Sequence, residues 1–315
     1  MIDSAIIIPV HNRSAVTLAC LERLAADDVS KWAQILVIDD GSVDGTADAI
    51  REKFPLVKVL SGNGNLWWAG SISLGMEFAL NAGFDYVCWL NDDCSPAPGA
   101  LRKLRDISGE QGAMAGGVCL LPDTEMVVYG GLRRRGYAFD LVVYRPDIVE
   151  HCDALSGNLV CLPIGLVRQI GLPDALHMPH AIADIDYALQ AKRAGWPVLV
   201  VHGAIATAQP NNWQNHSSWL LSDLTIRDIW QSAWRKSSYG YFPTLWYFFH
   251  RHWGLRGAAH AVWLLLKRLI IIPIRLFVPQ KWLHRIWANR SEAWQAEQRL
   301  RNALAGAPEY SRKSK

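Results

Sequence analysis

The chain has 315 residues, half of them hydrophobic and 19% charged, with a formal net charge of +3. That length buries a substantial core in one or two domains, and the composition excludes bulk disorder. A net charge this small gives no electrostatic case for nucleic acid as a partner.

Residues 5–10 read as a buried strand. No basic leader segment precedes it, so no secretory signal is expected. Residues 14–26 follow as a helix, 35–38 as a second strand, then the turn Asp40-Gly41-Ser42 and a helix over 46–53. A short strand at 57–60, a helix at 70–82 and a strand at 86–90 continue the alternation. This β-α-β-α rhythm predicts a mostly parallel sheet with helices on both faces. Beyond Pro98 the pattern loosens. A helix is expected at 101–108, a strand at 114–121, and an Arg-rich hairpin or extended segment at 129–144. A strand at 160–162, a helix at 183–194 closed by Gly195, and a strand at 197–202 complete this part.

From about residue 211 the chain turns aromatic and basic, and ten of its fifteen tryptophans lie at or after Trp213. The most apolar stretch, 258–278, is interrupted by Lys267, Arg268, Pro273 and Arg275. Its apolar runs are about ten residues, against the ~20 that a spanning helix needs. Amphipathic helices on an anionic leaflet are expected, with Trp246, Trp253, Trp263, Trp282 and Trp287 as anchors. A packed helical subdomain or a dimer interface would show the same composition. The six cysteines (Cys20, Cys88, Cys94, Cys119, Cys152, Cys161) lack paired metal-ligand spacing and read as buried free thiols of a reducing cytosol.

Four clusters carry the chemistry. Ile8-Pro9-Val10-His11-Asn12-Arg13 and Asp39-Asp40-Gly41-Ser42-Val43-Asp44-Gly45-Thr46 follow the first two strands. Asn91-Asp92-Asp93 ends the strand at 86–90, and Ala183-Asp184-Ile185-Asp186-Tyr187 opens a helix that closes in Arg193-Ala194-Gly195-Trp196. Two carboxylates at the tip of a buried strand lose hydration, which a hard divalent ion compensates. Ligands of parallel α/β sheets also bind beyond the C-terminal strand ends. Asp equally favours turns and helix caps, so Asp39, Asp40 and Asp184 also have that plainer reading. Arg133, Arg134 and Arg135 read as a solvated turn or as phosphate contacts.

In order and approximate spacing these clusters, with Asn65-Leu66-Trp67-Trp68-Ala69-Gly70 and Ser156-Gly157-Asn158, resemble glycosyltransferase family 2, the inverting enzymes of GT-A fold. The likeness covers roughly residues 5 to 205, and the Trp-Trp-Ala-Gly run resembles rhamnosyltransferase-like members. It implies an α/β GT-A domain over 1–210, with a nucleotide-binding half at about 1–98 and an acceptor-binding half at 99–210. A helical, aromatic and basic extension over 211–315 follows. Pro9, Asn12, Asp39, Asp40, Trp68 and Asp92 would bind the nucleotide-sugar, with Asp92 nearer the ribose. Asp93 would hold Mg2+ or Mn2+, with His202 as a further ligand, although a lone His at a strand end also serves structure. Asp184 would be the general base, and Asp186 a support for the start of its helix. Asn91 and Ala183 depart from the family, which writes Asp and Glu there.

The implied reaction moves a sugar from a UDP- or dTDP-sugar to a glycan or lipid-linked acceptor. The implied setting is bacterial surface polysaccharide synthesis, including lipopolysaccharide, at the cytoplasmic face of the inner membrane. A homodimer is a further partner to consider. The alternatives are a sugar nucleotidyltransferase, which would want a Gly-rich basic loop after the first strand, and a non-catalytic membrane scaffold. A dehydrogenase would need G-x-G-x-x-G at that turn, and the chain lacks it.

Overall fold

The computed structural model describes residues 2–209, 219–221 and 224–288, together with Gln295 and Gln298. The chain forms two compact units, residues 1–209 and 210–315. The expectations for Trp213 and for residues beyond 298 lie outside the described residues.

In the first unit, β1 (Ser4–Val10), α1 (Ser14–Ala26), β2 (Ala33–Asp39), α2 (Thr46–Lys53), β3 (Lys58–Ser61), α3 (Trp67–Ala82) and β4 (Tyr86–Leu90) keep the alternation expected from sequence. β5 (Cys94–Pro96), α4 (Ala100–Gln111), β6 (Met114–Leu120), β7 (Val127–Tyr129), β8 (Gly131–Arg135) and β9 (Ala138–Leu141) come next. β10 (Val149–His151), β11 (Ala154–Leu155), β12 (Leu159–Pro163), α5 (Ile164–Ile170), α6 (Ala183–Arg193) and β13 (Val198–Ala208) complete the unit. The main sheet has the order β10-β13-β6-β12-β4-β1-β2-β3. Four of its seven successive ladders are parallel: β3–β2, β2–β1, β1–β4 and β13–β6. β12 runs antiparallel to both β4 and β6. The parallel block is the part built by helical crossovers. β12 is reached through a long excursion without one, so its direction is free to reverse.

This topology gathers the motifs. β1 pairs in register with β2 up to Val10↔Asp39, and with β4 at Ile7↔Trp89. The tips of β1, β2 and β4 therefore share one edge of the sheet. Antiparallel β12 begins opposite Leu90, at Leu159, which brings Ser156-Gly157-Asn158 to the same edge. β1 is buried along its length apart from half-buried Pro9, and all six cysteines are buried. The Arg-rich segment forms the β8–β9 hairpin, where Arg133 pairs with Glu150 and Arg135 with Asp140 at 2.8 Å. These arginines have carboxylate partners on the surface of the unit.

The second unit contains α7 (Ile226–Gln231), α8 (Phe242–Phe277) and α9 (Gln280–Trp287). A reciprocal cap between Thr225 and Asp228 starts α7, while α8 is broken at Gly254 (φ 60°, ψ −143°). By length and composition α8 is long enough and apolar enough to cross a membrane. The sequence suggested otherwise because Arg268 and Arg275 interrupt the apolar run. In the fold both turn toward backbone oxygens: Arg275 Nη1 donates to Trp219 O at 2.8 Å, and Arg268 donates to the carbonyls of Ile229, Leu264 and Gly240. Arg268 is fully buried and its guanidinium lies 4.2 Å from the Trp219 ring centroid. Trp253 is half-buried, and its ring packs against Phe248 and Phe249 at 5.8 and 5.5 Å.

Candidate active site

Two turns form one end of the site. Asn12 takes a left-handed conformation (φ 52°), which lets its N–H reach Ser42 Oγ at 2.8 Å while its Oδ1 accepts from Val43 N at 2.8 Å. Asp44 accepts from Ser14 N at 3.0 Å and from Thr46 N at 3.2 Å, so one carboxylate serves the N-termini of both α1 and α2. Half-buried Pro9 pairs opposite Ile38, one residue before each strand ends in its turn.

The paired carboxylates after β2 are not equivalent. Asp39 Oδ1 accepts from Ser42 N at 3.0 Å, and its second oxygen has no partner among the described residues. Asp40 commits both oxygens, accepting from Gly64 N at 2.7 Å and from Trp67 N at 3.0 Å. A Cβ at Gly62 would lie 2.6 Å from Asp40 Oδ1, so the loop closes this tightly only with glycine there. Asp40 thereby fixes the start of α3, whose first residue, Trp67, is held at φ 57°. A bulky residue in that region is strained by ~1–3 kcal/mol and persists only where its surroundings dictate it.

Asp92 and Asp93 meet a cation that the sequence reading passed over. Arg13 spans both, with Nη1 3.1 Å from Asp92 Oδ1 and Nη2 3.0 Å from Asp93 Oδ2. Thr17 Oγ1 donates to Asp92 Oδ2 at 3.0 Å. Asp92 is only 2% exposed, and burial pushes its carboxyl up to about 6, against the lowering influence of Arg13. With both oxygens engaged and almost no exposed surface, Asp92 holds Arg13 in place. Asp93 is the more exposed of the two.

A second network joins the metal-type strand end to the start of α6. Trp68 Nε1 donates to Asn91 Oδ1 at 2.9 Å, and Asn91 N donates to Asn158 O at 3.1 Å. The next residue back, Gly157, donates its N–H to Asp184 Oδ2 at 2.7 Å, while Ile185 N donates to Oδ1 at 2.8 Å. Asn91 therefore makes an indole contact where the family pattern has a carboxylate. Crowding by neighbouring protein raises the Asp184 carboxyl above its usual range, opposed by these backbone donors. The residue before Ala183, Ile182, sits at φ 71°, a strained conformation for a β-branched side chain. Asp186 is buried deeper in the same helix and accepts from Gln190 Nε2 at 2.7 Å.

His202 does not join this site. It is fully buried, with Nδ1 accepting from Arg145 N at 3.1 Å and Nε2 against Glu150 Oε1 at 3.0 Å. On β13 the residue opposite Cys94 is Ala208. His202 follows Val201, which pairs with Val149 of β10, and its N–H donates to Ile148 O at 2.9 Å, whereas Ala206 and Thr207 pair with Cys119 and Leu120 of β6. Among the described residues, no three His, Cys, Asp or Glu side chains gather as a metal-ligating group. Mg2+ and Mn2+ are commonly held by one or two carboxylates with substrate phosphates filling the shell, and partly exposed Asp93, just past the tip of β4, fits that mode.

The family model that matches is the one described as Glycosyl transferase family 2, over residues 5–147. The matched stretch holds the two turns, Trp68 and Asp92-Asp93; Gly157, Asp184 and His202 lie beyond it. None of the curated proteins matches the chain. Among solved structures, the chain is similar to GalNAc-T7 with UDP, GalNAc and Mn2+, at 15% identity and a TM-score of 0.56. That likeness covers 67% of this chain but only 44% of the other. It is also similar to the mannosyltransferase PcManGT from Pyrobaculum calidifontis in complex with GDP-Man and Mn2+, at 14% identity and a TM-score of 0.53. There the likeness covers 98% of this chain and 82% of the other. At these identities the shared property is the fold, an α/β GT-A arrangement.

Proposed function

We propose that the chain is an inverting glycosyltransferase that moves a sugar from a nucleoside diphosphate donor to a hydroxyl of a glycan or lipid-linked acceptor. The observation that carries this reading is the single sheet edge at which Asp39, the Asp92–Asp93 pair and Asp184 converge, with Trp68, Asn91 and Gly157 linking the last two. The match to glycosyl transferase family 2 and the donor complexes of the similar structures support it.

Each residue then has a role. The free oxygen of Asp39 accepts from an imide N–H of the base, which suits uracil or thymine, and Asn12 and Pro9 shape the floor beneath it. Asp93 is the protein ligand for Mg2+ or Mn2+, which supplies charge stabilisation of the departing diphosphate. Asp184 removes the proton of the acceptor hydroxyl as its oxygen bonds to the anomeric carbon, while the carbon–phosphate-oxygen bond breaks on the opposite face. Its two backbone donors fix the carboxylate's direction, and its raised proton affinity makes it a stronger base than an ordinary Asp. Trp68 presents an indole beside the base and so borders the sugar subsite.

The test is nucleotide release from a panel of UDP-, dTDP- and GDP-sugars with Mn2+, Mg2+ or chelator. Release with at least one donor, dependent on added metal, is expected. Asp184→Asn should abolish transfer while donor binding by calorimetry persists; unchanged turnover in that variant would sink the base assignment.

A further inference from the structure

The middle of the second unit is basic without counterweight. Residues 229–291 contain ten Lys and Arg and no Asp or Glu, a local excess hidden by the chain's net charge of +3. After the break at Gly254, α8 divides into three lengthwise zones. Its inward face includes Gly257, Ala261, Arg268 and Ile271, and Ile271 packs with Trp219 and Ile229. Its outward face carries Leu255, Val262, Trp263, Leu266, Ile270 and Phe277, with Leu255 83% and Phe277 84% exposed. At about 100° per residue these six fall within an arc of ~120° that contains no charged residue. Arg256 and Lys267 run along one border of that arc, both exposed. This polarity is inverted relative to a water-facing helix, which turns its charges out and its apolar stripe in. α9 repeats the scheme, with exposed Trp282 and Ile286 one turn apart beside exposed Lys281 and Arg285, also one turn apart.

We propose that the outward face of α8 and the apolar side of α9 insert, lying in the membrane plane, into an anionic phospholipid bilayer. Arg256, Lys267, Lys281 and Arg285 meet its phosphates. A transverse orientation conflicts with two features. Lys267 falls near the middle of the second half of α8, and the segment packed on the inward face carries exposed Thr225 and Arg227, which mark a watery side. A second copy of the chain is disfavoured as occupant, since a self-complementary contact through this face would oppose cation to cation with no carboxylate to answer. Buried Arg268 is satisfied by three carbonyls and the Trp219 face, so it places no charge against the lipid.

The experiment is sedimentation of the full chain with phosphatidylcholine vesicles, with and without phosphatidylglycerol. Sedimentation with the anionic vesicles is expected, weakening about fivefold for each of Lys267→Gln, Lys281→Gln and Arg285→Gln. Leu266→Glu/Ile270→Glu should weaken it roughly tenfold or more while far-UV circular dichroism is unchanged. A nitroxide on Leu266→Cys should become accessible to oxygen and shielded from water-soluble nickel on adding vesicles. Binding that survives the double glutamate variant, or no sedimentation of the wild type, overturns the proposal. So does a nitroxide still open to nickel, or a dimer in solution that the double variant dissociates while vesicle binding is unaltered.

Discussion

Gly157→Ala probes the geometry of the site more sharply than removal of any charged residue. A Cβ at that position would lie 2.4 Å from Trp68 Cζ2, 2.7 Å from Trp68 Cη2 and 3.0 Å from the Asp184 Cβ. Carbon atoms rest at about 3.5–4.0 Å, so the indole must retreat by roughly 1 Å, or Gly157 must shift and carry its N–H away from Asp184. Overpacking of this kind costs about 1–3 kcal/mol of stability. A displacement of ~1 Å in a reacting group costs on the order of 100-fold in rate. The fall should appear in kcat, since the nucleotide turns are untouched. Trp68→Phe removes the two clashing ring atoms, so Gly157→Ala/Trp68→Phe should be more stable than the sum of its single variants by roughly 1–2 kcal/mol. Urea unfolding and steady-state nucleotide release measure both quantities. Additive stabilities together with wild-type kcat in Gly157→Ala would refute the claim that this contact sets the base.

Three further outcomes are expected. Asp92, held at about 6 against an ordinary 3.8, binds its proton more tightly in the folded chain than in the unfolded one. Its stabilising contribution is therefore complete below about pH 4 and lost as pH rises through about 6, a difference of ~3 kcal/mol that Asp92→Asn should remove in urea midpoints compared across that range. Because Asp184 is also shifted upward, the acidic limb of kcat should lie above the ordinary carboxylate range, and a limb at about 4 would contradict its role as base. Arg268→Met should destabilise the helical unit by about 3–5 kcal/mol, since three buried carbonyls lose a charged donor, and thermal unfolding would register it.

Much of the first unit was legible because local and tertiary signals agree there. The helices at 14–26 and 46–53 and the strand at 86–90 have the ends that their turn residues indicate. Less legible were β5, β10 and β11, of two or three residues each, which are too short to show a period of two and exist because a neighbouring strand pairs with them. Asp39, Asp40 and Asp93 could be located, but not their division of labour. That division depends on which backbone N–H groups the β3–α3 loop turns inward, a property of φ angles at Trp67 and Gly64 rather than of residue type. His202 misled because a strand-end histidine reads the same whether it faces a cleft or a buried Glu150. Arg13 was visible beside Asn12, yet its link to a strand tip 80 residues away appears only once β1 and β4 are paired. In the second unit, composition revealed cations and aromatics but not which of them the fold turns inward.

The carboxylate of Asp44 has a consequence beyond capping. α1 and α2 both direct their positive ends at this one group, so a single negative charge holds two helix dipoles in register. The rim above these two turns is thus held by an electrostatic pin as well as by the buried side chains of the two helices. Being solvent-facing, the pin feels salt: raising ionic strength should loosen both helices together, and donor affinity should decline in step.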